Sequence, residues 1–138
     1  MTMKITKIDV LLSDPVEGGW QPMFCRVYTD SGIYGDGEAA LSYGGAVHAA
    51  FGMMQDLAPE LIGLNPLEHE VIWQKMYKDA CFFALNGGPI TFAGMSAFDV
   101  ALWDIKGKTY GAPLHEMLGG KQRSSLRAYA SQLRKRMG

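Results

Sequence analysis

Hydrophobic positions along the chain change period near residue 40, dividing it into a shorter strand-forming part and a longer helical part. Alternation over Lys4–Leu12 puts Ile8, Val10 and Leu12 on one side and Lys7 and Asp9 on the other, which predicts a half-buried strand. Met23–Thr29 and Ile33–Ala39 predict two more, and Asp30-Ser31-Gly32 between them supplies turn chemistry for an antiparallel meander. Gly35 and Gly37 inside the third strand mark a bulge or a close neighbour. From Gly44 the period becomes helical. Ala46, Ala50, Met53 and Leu57 predict a helix over Gly44–Leu61 that Pro59 breaks or kinks near its end. Asn65-Pro66-Leu67-Glu68 has the residues of a capping box and predicts the start of a second helix, bearing Val71, Trp73, Met76, Tyr77 and Ala80.

The longest predicted helix follows a Gly87-Gly88 turn, with Pro89 at its first position, and runs to Tyr110. Met95, Phe98, Leu102 and Ile105 share one face, and Gly94, Ala97 and Ala101 form an adjoining stripe of small side chains that lets another backbone approach. Phe92, Val100 and Trp103 carry apolar character around the rest, so the helix should be sandwiched between layers. Gly111 offers a left-handed stop, and Pro113 opens a short helix ending before Gly119-Gly120. Ser125–Ala130 predicts a final short strand. Three strands followed by about three helices give an α+β fold, the helices stacked on one face of an antiparallel three-stranded sheet.

Composition narrows the class. A chain of 138 residues, 48% of them hydrophobic, can bury one domain core. A net charge of −1 provides no long-range field for nucleic acid or an anionic membrane. Cys25 and Cys81 have no metal or redox spacing and are expected to be buried free thiols in a reducing compartment. No apolar run approaches the ~20 residues that span a bilayer, and the N-terminus lacks a signal-peptide pattern, so a cytoplasmic protein is expected.

Candidate chemistry is sparse. His48, His69 and His115 lie on different elements and are expected at the surface or as caps. Asp99 and Asp104 stand about 140° apart around a helix, too divergent to share one metal, whereas Asp104 and Lys108 can pair across one turn. Glu17, Glu38 and Glu60 belong to separate segments, and Glu38, ending a glycine-flanked strand, has the best claim of the three to a functional contact. Trp20, in the loop Ser13–Pro22, either covers something or packs on its own domain's rim. No nucleophile elbow or phosphate-cradling loop is present. These residues alone show no catalytic or metal site.

The run Ser96–Lys108 (SAFDVALWDIKGK), with Gly111-Ala112-Pro113-Leu114 and Leu118-Gly119-Gly120, resembles the signature of the mandelate racemase and muconate lactonizing enzyme group of the enolase superfamily. The resemblance covers about Met3 to Ala130 and includes Gly35-Asp36-Gly37-Glu38, where Asp36 replaces the family's aromatic residue. The tail Gln132–Gly138 departs from it. The resemblance implies that residues 1–124 form the N-terminal capping domain, and that 125–138 hold a first barrel strand, Leu126–Ala130, and a divergent tail. It implies that the barrel, with its acid–base groups and its Mg²⁺ ligands, lies outside this chain, so the chain alone binds no metal and has no catalytic residue. Loops Asp14–Pro22 and Leu41–Gly45 would close over the barrel mouth, giving Trp20 and Tyr43 as substrate-binding residues alongside the strand-end Glu38, with Phe82–Asn86 bordering the same mouth. Gly87-Gly88-Pro89-Ile90-Thr91 looks most like the sugar-acid dehydratase branch, implying elimination of water from a small sugar acid, with racemisation or cycloisomerisation as alternatives. A different class of function, a non-catalytic binding module derived from the cap, is kept open by the departing tail. Without a barrel, part of the Met95–Phe98–Leu102–Ile105 helix or the adjacent Trp103 should meet solvent or another protomer, so a homo-oligomer is expected.

Overall fold

The computed structural model describes residues 2–16, 19–80 and 88–129. β1 (Ile5–Leu12), β2 (Met23–Thr29) and β3 (Tyr34–Ala39) form one antiparallel sheet in the order β1-β2-β3. A 3-10 turn (Gly44–Ala46) leads into α1 (Val47–Leu61), then come α2 (His69–Lys75) with a π-helical turn (Met76–Ala80), α3 (Gly88–Tyr110) and α4 (Leu114–Met117). The expected α+β fold, with a meander followed by helices, is what the chain adopts.

The meander turns at Asp30-Ser31-Gly32, where Gly32 takes φ +81° and Thr29 Oγ1 donates to the Ile33 carbonyl at 2.6 Å. β1 departs from strict alternation. Its register against β2 slips between Ile5 and Lys7, so the bulge turns Ile5 to the same side as Ile8, Val10 and Leu12. Ile5 is thereby buried in the core. Hydrogen bonds from Ile5 N–H to the Leu64 carbonyl (2.9 Å) and from Gly63 N–H to the Ile5 carbonyl (2.8 Å) tie this end of β1 to the chain leaving α1.

α3 packs against β3 and β2, with α1 beside it. Met95, Phe98, Leu102 and Ile105 are all buried there, so the part of this helix that meets solvent lies elsewhere on its circumference. The surface instead receives Phe92 and Val100, while Trp103 is half-buried. The predicted stripe of small residues does what was expected of it. A Cβ on Gly35 would collide with the Ala101 carbonyl oxygen, and one on Gly37 with that of Ala97, so the strand glycines let the helix backbone rest on the sheet. Of the two readings for these glycines, a close neighbour is correct. Asp104 clasps the layers: its Oδ2 accepts from the Asp36 backbone N–H (3.0 Å) and from Lys108 Nζ (2.7 Å). The expected Asp104–Lys108 pair is therefore present. Lys108 Nζ also donates to the Tyr34 carbonyl at 2.8 Å.

α1 buries Val47, Ala50, Met54, Leu57, Ala58 and Leu61, and Pro59 sits in its last turn. α2 begins later than the capping-box pattern predicts. Asn65 Oδ1 accepts from Leu67 N–H at 3.2 Å in a turn before the helix, whose N-cap is Glu68 without a side-chain bond. The Asx turn has used the residue that a cap would need. α3 ends as read: Gly111 takes φ +61°, with Gly111 N–H on the Lys108 carbonyl (3.4 Å) and Ala112 N–H on that of Gly107 (3.0 Å).

The strand expected over Ser125–Ala130 does not form across 125–129, where Leu126 is 79% and Tyr129 88% exposed. A strand needs a neighbour for its backbone groups, and none of the three described strands pairs with this segment. Ala130, the tail Gln132–Gly138, Glu17, Cys81 and the segment Phe82–Asn86 lie outside the described residues.

Candidate functional site

Two loops meet at the end of the sheet where β1 finishes and β2 begins. Trp20 forms isolated backbone bridges with Val16 and with Tyr43. Val16 N–H donates to the Trp20 carbonyl (2.8 Å), and Gln21 N–H to that of Ser42 (2.6 Å). The rings of Trp20 and Tyr43 lie 5.5 Å apart, tilted by 38°. They remain 37% and 60% exposed, so they form a shelf and contribute little to the domain's core. Neither of the two expectations for Trp20, covering something or packing on the rim, anticipates an aromatic partner from the second loop.

Backbone strain supports this shelf. Leu41 is the one non-glycine residue with positive φ among the described residues, at +66°. A bulky side chain in that region costs energy and persists where surrounding contacts enforce it. Ser42, next to it, is buried and its carbonyl holds the first loop. A leucine gives no sequence signal for such a conformation.

Glu38 pairs with Phe24 at the same end of the sheet, but on the exposed face away from the helices. It makes no hydrogen bond or ion pair among the described residues. The structure thus brings Trp20 and Tyr43 together and records no polar bond from Glu38 to either. Further along that face, Arg26 grips Asp36 in a bidentate pair (2.6 and 2.9 Å) and stacks over Tyr34 at 4.3 Å. The Arg26 guanidinium holds the Asp36 carboxyl below the usual carboxylate range. Asp36, which replaces an aromatic residue in the resembled pattern, is therefore engaged structurally. Cys25 is a buried free thiol, pushed up to about 12 by burial, and donates weakly to the Ala97 carbonyl at 3.4 Å. It is not a nucleophile at neutral pH.

His48 and His115 are exposed, as expected. His69 is not: it is 7% exposed and stacks on Trp103, ring centroids 4.5 Å apart and 9° from parallel. Its Nδ1 lies 3.3 Å from Lys106 Nζ. The sequence hides this because Trp103 and Lys106 reach it from a different helix. Asp99 flanks the same cluster while Asp104 faces β3, so the two aspartates diverge as their spacing requires.

A family profile described as mandelate racemase / muconate lactonizing enzyme, N-terminal domain, matches residues 20–119. The chain belongs to this family. A D-galactonate dehydratase family member of Oceanicola granulosus is 40% identical over 127 residues, 92% of this chain and 29% of its own length. An enolase superfamily member from Salmonella Typhimurium superposes with a TM-score of 0.88 at 47% identity, covering 95% of this chain and 33% of that one. An enolase from Pantoea ananatis, solved with bound D-gluconate and Mg, superposes with a TM-score of 0.75 at 36% identity, covering 88% and 28%. The chain therefore spans about three-tenths of the length of these mandelate racemase and muconate lactonizing enzyme relatives.

The described residues do not fit a magnesium site. No three His, Cys, Asp or Glu side chains among them converge to hold a metal. Asp9, Asp36, Glu60 and Asp104 are each engaged by Lys7, Arg26, Lys75 and Lys108. Mg²⁺ needs several oxygens in near-octahedral array, which paired and scattered carboxylates cannot supply. Among the described residues, no helix is long and apolar enough to cross a membrane.

Proposed function

We propose that this chain is the substrate-selecting cap of a magnesium-dependent lyase that removes water from a sugar acid, after loss of the proton next to its carboxylate. The metal and the acid–base groups would lie outside residues 2–129, and residues 125–138 would begin the domain that carries them. Leu126 and Tyr129, exposed here, would find their neighbours in that domain. The observation that carries the reading is the Trp20–Tyr43 shelf, two exposed rings fixed to one another by backbone bridges at a sheet end. Its support comes from relatives named as D-galactonate dehydratases and from the gluconate- and Mg-bound Pantoea protein.

In this role the shelf covers the C–H face of a polyol chain and excludes water from the reacting carbon. Glu38, without a hydrogen bond or ion pair among the described residues, accepts a substrate hydroxyl at the same end. None of the three takes the proton. They choose which sugar acid is held in position. The reading places the enzyme in the cytoplasm as a homo-oligomer.

The test is a hybrid enzyme in which this chain replaces the matching segment of the Oceanicola relative, assayed on a panel of sugar acids. Trp20→Ala and Tyr43→Ala should raise KM for the preferred acid about tenfold and flatten the preference, as expected for lost contacts worth ~1.4 kcal/mol. An active hybrid whose KM values ignore both substitutions would contradict the cap assignment of these residues.

A further inference from the structure

The sheet has two edges, β1 and β3, and the chain treats them differently. Thr29 N–H bonds to the Ile33 carbonyl (3.1 Å), so Thr29, Val27 and Cys25 of β2 turn their backbone groups to β3. The outward backbone groups of β3 then belong to the intervening residues, and α3 caps two of them. Asp104 accepts from the Asp36 N–H, and Lys108 donates to the Tyr34 carbonyl. On β1, Ser13 N–H bonds to the Pro22 carbonyl (3.0 Å), so Leu11, Asp9 and Lys7 face β2 in the same alternation. Ile8 and Val10 therefore turn N–H and C=O to the open side. Among the described residues, nothing beyond the ladder with β2 bonds to either.

An open edge is a template for another strand. Its lower limit is set at Ile5, whose backbone is already engaged by Leu64 and Gly63. On the helix side the edge borders a groove of about 450 Å³ lined by Ile8, Val10, Gln55, Ala58, Pro59 and Ile62. A strand laid ~4.8 Å from β1 would place its own inward side chains in that groove. On the solvent side, Lys7 and Asp9 stand two residues apart on one face, 2.8 Å from each other. A strand that carries a cation and an anion at positions i and i+2 is complementary to itself when the copy runs antiparallel.

We propose that the occupant of this edge is β1 of a second copy, paired antiparallel about a two-fold axis at Ile8. Ile8 N–H then donates to the Ile8 carbonyl of the second copy, and the reverse, joining two sheets into one. The same register sets Lys7 opposite Asp9 of the second copy and Asp9 opposite its Lys7, two unlike pairs across one isologous contact. Moving the axis one residue, to Asp9, would set that carboxylate against its own copy. The charges thus choose the register and the backbone supplies the bonds. This interface belongs to the homo-oligomer proposed above and rests on that reading.

The test combines amide exchange with a pair of charge reversals in the full chain. Between micromolar and millimolar protein, the Ile8 N–H should gain at least about tenfold protection from exchange with solvent. Lys7→Glu and Asp9→Lys should each weaken self-association about fivefold or more in sedimentation, because each sets like charges opposite one another. An equimolar mixture of the two variants should associate again, since unlike charges then face each other in both pairs. Neither variant has the Lys7–Asp9 pair within its own chain, so only a contact between chains explains recovery on mixing. A mixture no tighter than either variant alone, or an Ile8 amide that exchanges equally fast at every concentration, would overturn the proposal. A chain that associates with Ile8 unprotected would keep the homo-oligomer and place its interface elsewhere, whereas a chain monomeric throughout would overturn both.

Discussion

Gly37 of β3 lies directly beneath Ala97 of α3, and a Cβ at position 37 would overlap the Ala97 carbonyl oxygen. Gly35 stands in the same relation to Ala101 one turn along. The helix can rest on the sheet at backbone distance because neither strand residue has a side chain. This contact sets the position of α3, and through Asp104 and Lys108 it also fixes the end of β3.

Gly37→Ala should therefore destabilise the chain by about 3 kcal/mol or more, because the overlapping atom is backbone and cannot rotate away. Gly52→Ala is the matched control. Gly52 lies within α1 with nothing within 4 Å of its would-be Cβ, so alanine there should stabilise by roughly 0.5–1 kcal/mol. Urea unfolding of both variants checks the opposite signs. Equal, small effects would mean that the layers are not in backbone contact.

That contact was legible in the sequence. Glycines at alternate strand positions and a small-residue stripe on a helix are complementary signals, and both survive in local pattern. The bulge at Ile5 was not legible, because it comes from pairing with β2 and from the tie to Leu64, neither of which leaves a mark on residues 5–7. The burial of His69 leaves no local mark for a related reason. Its burial depends on Trp103 and Lys106, which are distant in the chain. Of the candidate site, Trp20 and Tyr43 were found singly, but their contact is tertiary and Leu41's strained conformation has no residue signature.

Trp20→Ala should change stability by less than about 1 kcal/mol, since the ring sits on a partly exposed shelf, whereas losing a buried tryptophan costs ~3–5. Thermal or urea unfolding decides it. A loss in the larger range would place Trp20 in the core and remove it from the substrate-facing residues.

Asp99 should make stability depend on pH in a direction opposite to Asp36. The Asp99 pKa is raised in the folded chain, so its contribution is present below the unfolded value and is lost as pH rises through the folded one. The Asp36 pKa is lowered, so its contribution is present above the unfolded value and is lost as pH falls through the folded one. Asp99→Asn should accordingly stabilise the chain at pH 7 by a few tenths of a kcal/mol, solvent screening keeping the effect small. The gain should vanish below about pH 3.9, where the native aspartate is itself neutral. Unfolding free energies measured at both pH values test this, and a gain that persists in acid would assign it to packing.

Phe92 and Val100 on α3, with Val71 on α2, leave apolar side chains at the surface of the helix layer. Monomers seldom expose contiguous apolar patches beyond a few hundred Å². The chain should self-associate at micromolar concentration, and Val100→Lys should shift it toward monomer. Sedimentation velocity of the two proteins is the check, and a wild-type chain that stays monomeric throughout would count against the homo-oligomer reading.

If this chain shapes a substrate site and holds none of the metal chemistry, its stability should not respond specifically to Mg²⁺. Thermal melting across a Mg²⁺ series decides this. A ligand bound to the folded state at ~100 Kd adds ~2.7 kcal/mol, which for a domain of this size is roughly 10 °C in Tm. The predicted series is flat from zero to millimolar Mg²⁺ once ionic strength is matched with NaCl. A saturable rise with Mg²⁺ that NaCl does not reproduce would contradict the claim, showing that this chain builds a metal site of its own.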